Sequence, residues 1–225
     1  MLVDAGFEVW LTNHRGNKYS CEHRCVHHSV HTPTSPYWDF SFDEMALHDT
    51  TANVDYVLRT TGQEQVYYIA HSQGSLTLFG AATLYPDFPK KIKAFVALGP
   101  AMYVKNMYSP LMAPLVRIPL VDLLYKLNLN NALLFPDFCS VILRELVLRF
   151  PSVTWQFVET MAGFTVNLQV DLSRMAVMAR NEPGGTSMKN CLHWMQMIRT
   201  GEYRRFDYGA KRNMQVYGQE EAPRY

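Results

Sequence analysis

The stretch Gln65-Val66-Tyr67-Tyr68-Ile69-Ala70-His71-Ser72-Gln73-Gly74-Ser75-Leu76 constrains this chain more than any other. Val66 to Ile69 is a β-branched and aromatic run, the composition of a buried parallel strand. From Gly74 onward the residues turn small or helix-compatible, with Leu76, Leu78, Phe79, Gly80, Ala81, Ala82 and Leu84. Ser72 stands at the junction. A strand, a sharp turn with a serine at its tip, and a helix together make the layout of a nucleophile elbow. So tight a turn puts the serine in a strained backbone conformation, at a cost of roughly 1–3 kcal/mol. It also demands small residues two before and two after the serine, and Ala70 and Gly74 meet that demand. The outcome is an exposed hydroxyl at a strand tip. The amide of Gln73 then lies at the positive end of a helix, where it can stabilise an oxyanion. Small-x-Ser-x-Gly also arises by chance, but the strand before it and the helix after it speak against coincidence.

The 225 residues are 48% hydrophobic and 18% charged, enough to bury a core as one domain with an insertion or as one and a half domains. The net charge of +1 and the lack of any basic block give no reason to expect a nucleic-acid partner. No apolar run is long enough for a transmembrane segment. Met1-Leu2-Val3-Asp4-Ala5-Gly6 does not read as a signal peptide, having neither a charged start nor a long apolar stretch. Cys21, Cys25, Cys139 and Cys191 are too few for a disulfide scaffold and leave the redox compartment open.

Phe7 to Leu11 reads as a first strand, bounded by Gly6 and by Asn13, Gly16 and Asn17. Residues 18–40 read as a long loop. Its Cys21, His23, Cys25, His27, His28 and His31 suggest a metal site at first sight, but the spacings match no common zinc pattern, so a solvated loop and no metal are expected. Ser41-Phe42-Asp43-Glu44 is a capping box, and Leu47, Val54, Val57 and Leu58 continue a helical stripe to a stop at Gly62. Asp43, Asp49 and Asp55 are expected on a solvated helix face. Lys93 to Pro100 is the strand that follows the elbow helix. Alternating strands and helices predict an α/β fold with a parallel sheet.

At Pro100 the alternation ends. Residues 101–200 read as helices punctuated by prolines, one starting at Pro151 and the last carrying Met188, Cys191, Leu192, Met195 and Ile198 to a stop near Gly201. The predicted divisions are therefore 1–100, the α/β part; 101–200, a helical cap or a separate helical domain; and 201–225, a return segment. The lack of a flexible linker at 100 favours an insertion over a separate domain.

Four ordered blocks resemble the acid lipases of the α/β-hydrolase fold, the group of gastric and lysosomal acid lipases. They are Asp4-Ala5-Gly6-Phe7-Glu8-Val9-Trp10-Leu11 with Arg15-Gly16-Asn17; Phe40-Ser41-Phe42-Asp43-Glu44-Met45-Ala46; Thr61-Gly62-Gln63-Glu64 with His71-Ser72-Gln73-Gly74; and Gly185-Thr186-Ser187, Asn190, His193-Trp194 and Gln196 with Phe206-Asp207-Tyr208-Gly209. The resemblance implies a partial α/β-hydrolase parallel sheet with a helical cap. It implies hydrolysis of neutral lipid esters, triacylglycerols and in some members cholesteryl esters, at a lipid–water interface. No cofactor is implied, and the location is secreted or lysosomal. Ser72 would be the nucleophile, and the backbone of Gln73 an oxyanion donor.

The departures bear on activity. Ala70 stands where the family usually has glycine, and His14 where it commonly has serine or threonine. In this fold the triad runs serine, acid, histidine along the chain. His193 is the one histidine after Ser72 in sequence, apart from the cap motif's own role for it nothing assigns it to catalysis, and the triad acid and base are expected to lie outside these residues. The chain is accordingly expected to be a fragment or incomplete gene model of an active lipase. The alternative is a catalytically silent product that only binds lipid or a partner. A triad rebuilt from His193 with Asp171 or Asp122 is the third reading.

Overall fold

In the computed structural model, residues 1–23, 32, 34–106, 109, 116–132, 137–162 and 184–225 are described. They form two units. The first comprises Met1–Arg15, Phe42–Met102 and Tyr225; the second comprises Gly16–Ser41 and Tyr103–Arg224.

In the first unit a helical run opens with one turn, α1 (Phe42–Glu44), widens into a π-helical turn over Met45–Asp49, and continues as α2 (Thr50–Thr61). Gly62 ends it in a left-handed conformation, φ 70°, donating its amide to Leu58 O. Strand β1 (Val66–His71), helix α3 (Gln73–Leu84) and strand β2 (Ile92–Leu98) follow. The two strands pair in parallel, with Tyr68 opposite Phe95 and His71 opposite Leu98. A parallel pair needs a crossover, and α3 supplies it. One face of the pair, through Val66, Tyr68, Ile92 and Phe95, packs on Val54, Leu78, Ala81 and Phe88. The other face exposes Tyr67, Ile69, Val96 and Leu98.

Phe7 to Leu11, expected as a strand, is assigned no strand. A strand is defined by ladder hydrogen bonds, and among the described residues β1 and β2 pair only with each other. The segment instead makes edge-on ring contacts, Phe7 with Tyr67 and Trp10 with Tyr56. Asp43 and Asp49 depart from the expected solvated face, whereas Asp55 stays partly solvated there. Asp43 is buried and accepts from the Tyr225 hydroxyl. Asp49 accepts from the Arg15 amide at 2.9 Å and from Arg15 Nε at 2.9 and 3.0 Å. Asp55 pairs with Lys91 Nζ at 2.6 Å. Each binds a partner distant in sequence, which helix periodicity does not encode.

In the second unit are α4 (Leu120–Lys126), β3 (Asn131–Ala132), α5 (Asp137–Arg149), α6 (Pro151–Ala162), β4 (Thr186–Ser187), α7 (Met188–Thr200) and α8 (Ala210–Tyr217). β3 and β4 form a short antiparallel pair. α6 begins at Pro151, where a missing amide hydrogen costs a helix nothing, and α7 ends at Gly201, φ 74°. The groupings cross the expected divisions. Residues of the loop 18–40 join the helical unit through Lys18 N to Gly184 O at 2.9 Å, Asp39 to Lys189 at 3.1 Å, and the Ser187 hydroxyl to Phe40 O. Residues 201–224 join it through His193 Nε2 and Arg204 O at 3.0 Å and through Gln196 and Asp207.

Among the described residues no group of His, Cys, Asp and Glu could hold a metal ion, and no helix is long and apolar enough to cross a membrane. Cys25, His27, His28 and His31, and also Asp171, lie outside the described residues.

Candidate active site

Ser72 sits between the last residue of β1 and the first of α3, with φ 51° and ψ −118°. Among the described residues it shares a positive φ with just one other non-glycine, Asn128. For an L-residue this conformation is costly and persists only where the surroundings enforce it. Here the enforcement is visible. The Ser72 amide donates to Leu98 O of β2 at 2.9 Å, which ties the turn to the neighbouring strand. Its carbonyl accepts from Ser75 N at 3.0 Å, which commits the next residue to the helix. The Ser75 hydroxyl, fully buried, donates to Ala70 O at 3.1 Å and so links the strand before the turn to the helix after it.

The space across the turn is equally tight. A Cβ added to Gly74 would lie 3.3 Å from the Ala70 Cβ. Larger residues at both positions would force strand and helix apart. The side chain of Ser72 is half-buried, and among the described residues no side chain hydrogen-bonds its hydroxyl.

Gln73 is the first residue of α3, and no acidic side chain stands in the helix's first turn. The start of a helix is the positive end of its dipole, so α3 places positive potential beside Ser72. The Gln73 side chain turns toward the π-helical segment and contacts Met45 Sδ at 3.2 Å. That segment packs against α3 and so backs the elbow. A π turn accommodates one extra residue without breaking the helix, and nothing in the spacing of Met45 to Asp49 announced it. Next to it, His14 Nε2 lies 3.4 Å from the Thr50 hydroxyl. Burial lowers the His14 pKa, with the Asp49 carboxylate acting in the opposite direction and Arg15 lowering it further.

His193 is buried in the second unit, its Nδ1 3.0 Å from the Ser41 hydroxyl and its Nε2 3.0 Å from Arg204 O. A carbonyl can only accept, so Nε2 carries the hydrogen, and Nδ1 accepts from Ser41. Its ring meets Phe206 edge-on at 5.3 Å. With both nitrogens engaged it works as a structural cross-link. Asp122, the other member of the rebuilt triad, is held by Arg199 at 2.9 and 3.1 Å, and that guanidinium lowers its pKa.

The remaining cap-motif residues have similar structural work. The Ser187 hydroxyl caps α7, accepting from Asn190 N at 2.9 Å, and Asn190 Nδ2 donates to the Thr186 hydroxyl at 3.0 Å. Gln196 exchanges two bonds with the backbone of Asp207, at 2.8 and 3.0 Å. Sequence reasoning missed Asn213. It is fully buried, donating to Asp207 Oδ1 at 2.7 Å and to Glu220 O at 2.8 Å, and accepting from Tyr208 N at 2.9 Å. A polar residue inside a short helix gives no signal of such a role.

A parallel strand–helix–strand unit with a strained serine at the first strand's tip defines a class. The chain belongs to the alpha/beta hydrolase fold family, whose model matches residues 2–156. Within it, the whole chain aligns with human lysosomal acid lipase/cholesteryl ester hydrolase at 37% identity and with rat gastric triacylglycerol lipase at 38%. Human lipase member K is also 37% identical over the whole chain. In each case the chain spans 56% of the relative's length.

Proposed function

We propose that this protein is a serine-dependent carboxylic ester hydrolase acting on neutral lipids, triacylglycerols first and cholesteryl esters second. The observation that carries the proposal is the enforced positive φ of Ser72. In the proposed reaction the Ser72 oxygen attacks the ester carbonyl carbon while a base takes its proton. The resulting oxyanion is held by the Gln73 amide, the alcohol leaves with a proton, and water releases the acyl group from the serine. The substrate class comes from the lipases the chain is similar to, and so does the proposed lysosomal or secreted location.

His193 supplies neither the base nor a spare nitrogen, since both ring atoms are engaged. On the serine, acid, histidine order of this fold, the triad base and acid are assigned to residues other than 1–225. On that assignment these residues alone turn over esters at least about a thousandfold more slowly than an intact triad. The helical stretch 101–200 is assigned the part of a lipid-facing cap, on its position after β2 and its exposed apolar side chains. A catalytically silent, lipid-binding product is the second reading, favoured by the lack of any side-chain partner for the Ser72 hydroxyl among the described residues.

The deciding experiment is hydrolysis of tributyrin and of a cholesteryl ester by the protein purified from its native source, with and without Ser72→Ala. Turnover abolished by the substitution supports the enzyme. Turnover that survives it refutes Ser72 as nucleophile, and no turnover in either form favours the silent reading.

A further inference from the structure

The hairpin of α5 and α6 carries an apolar surface on its outward side. Its two helices pack against each other, and Val147 of α5 is buried. At one turn per 3.6 residues, Val147 stands opposite the middle of the face formed by positions 141, 142, 145, 146, 148 and 149. That opposite face is apolar too. Val141, Ile142, Leu146 and Leu148, with Phe150 and Val153 beyond them, are between 47% and 63% exposed. A helix that is apolar on both sides has a second face to bury. The corner is bonded on both sides, Phe150 N donating to Leu146 O at 2.8 Å and Thr154 N to Phe150 O at 3.0 Å. The hairpin therefore presents this face as one piece.

Two charges stand in the middle of the face. Glu145 and Arg149 are exposed and one turn apart, with Val141, Ile142, Leu146 and Leu148 around them. Neither forms an ion pair among the described residues. Glu159, the acid of α6, is engaged instead, accepting from Trp155 Nε1 at 2.7 Å. The face thus offers one acid and one base, and its charges sum to zero. An anionic membrane surface calls for a surplus of cations. An acidic or a basic protein would match one of the two charges and oppose the other. An antiparallel copy of the same helix matches both. With a two-fold axis level with Val147, Glu145 of each copy stands opposite Arg149 of the other, because both lie two residues from the axis.

We propose that two copies of the chain pair through this face, α5 against α5 about a two-fold axis, in a reversible dimer. One Glu–Arg pair in the sequence then yields two ion pairs in the dimer, and the apolar side chains around them lose their contact with water. These side chains are far fewer than the roughly 20–30 residues a side of a standard interface, so association belongs in the micromolar range. The pairing uses α5 and the corner after it, and leaves the leucines of α4 to the cap's lipid-facing part. It does not depend on ester hydrolysis at Ser72.

Sedimentation equilibrium of the purified protein between about 1 and 300 µM tests the pairing. The parent should pass from monomer to dimer as its concentration rises and should go no further. Glu145→Arg sets arginine against arginine at both pairs, and Arg149→Glu sets glutamate against glutamate. Each variant alone should dimerise at least about tenfold more weakly. An equimolar mixture of the two should regain the parent's affinity as a heterodimer, and the exchange Glu145→Arg with Arg149→Glu should regain it within one chain. Recovery of that kind also shows that the variants are folded. Leu146→Ser should weaken the dimer while leaving the charge pattern intact. A parent that stays monomeric throughout, or that grows into larger species, overturns the proposal. So does self-association that neither single charge variant weakens, or that their mixture fails to restore. Ser72→Ala should dimerise as the parent does, so loss of ester turnover with the dimer intact counts against the enzyme reading alone.

Discussion

Ala70 and Gly74 face each other across the turn that carries Ser72, so closely that a Cβ on Gly74 would stand 3.3 Å from the Ala70 Cβ. The turn tolerates one methyl group at this crossing and has little room for a second. Small residues flank the serine because two backbones must pass there, and the strain at Ser72 is sustained by the same contact.

Gly74→Val should therefore destabilise the protein by about 2 kcal/mol or more, because overpacking against Ala70 outweighs valine's better helix propensity. Ala70→Gly placed in that background should recover part of the loss, because it removes the methyl that valine meets. Urea unfolding of the two single variants and the double variant measures the coupling. Strictly additive effects would show that the Ala70–Gly74 contact does not govern the turn.

Ser75→Ala removes the buried hydroxyl that donates to Ala70 O at 3.1 Å. It should cost about 1–2 kcal/mol, the value of a buried hydrogen bond whose acceptor is left without that donor. If the bond braces the elbow, reaction of Ser72 with a fluorophosphonate should slow as well. A stability loss with unchanged Ser72 reactivity would mean that Ser75 is structural only.

Burial holds His14 below its ordinary pKa of 6.5. The folded state then binds fewer protons than the unfolded state just below that value, so stability is full above about pH 6.5 and falls as the pH drops further. His14→Thr should flatten the loss of stability between about pH 7 and pH 5. Unfolding midpoints of parent and variant across that range provide the check, and parallel curves would remove His14 from the acid sensitivity.

Asn213→Ala breaks three hydrogen bonds in a site with no solvent access. The expected cost is about 2–4 kcal/mol, with protease sensitivity appearing first around residues 205–225. Limited proteolysis followed by mass spectrometry would locate the opening. An Asn213→Ala protein as resistant as the parent would contradict the central place given to this side chain.

Local chemistry was legible from the sequence. The elbow, the glycine stops at Gly62 and Gly201, and the start at Pro151 depend on neighbours a few residues away, and each stands where the residue types predict it. Features that depend on distant partners were not legible. Phe7 to Leu11 has strand composition, but a strand exists only where another supplies ladder bonds. Asp43, Asp49 and Asp55 follow the pattern of a wet helix face, yet Tyr225, Arg15 and Lys91 reach them from far along the chain. The cap motif already set His193 apart from catalysis, but its two partners, the Ser41 hydroxyl and Arg204 O, were not legible from residue type.

The central claim is that the strained turn presents Ser72 as a nucleophile. A fluorophosphonate forms a stable adduct with such a serine, and peptide mass spectrometry of the protein purified from its native source locates it. The predicted result is a single adduct on Ser72, prevented by a neutral-lipid ester in excess. An adduct on another residue, or ester hydrolysis that continues while Ser72 stays unmodified, would contradict it.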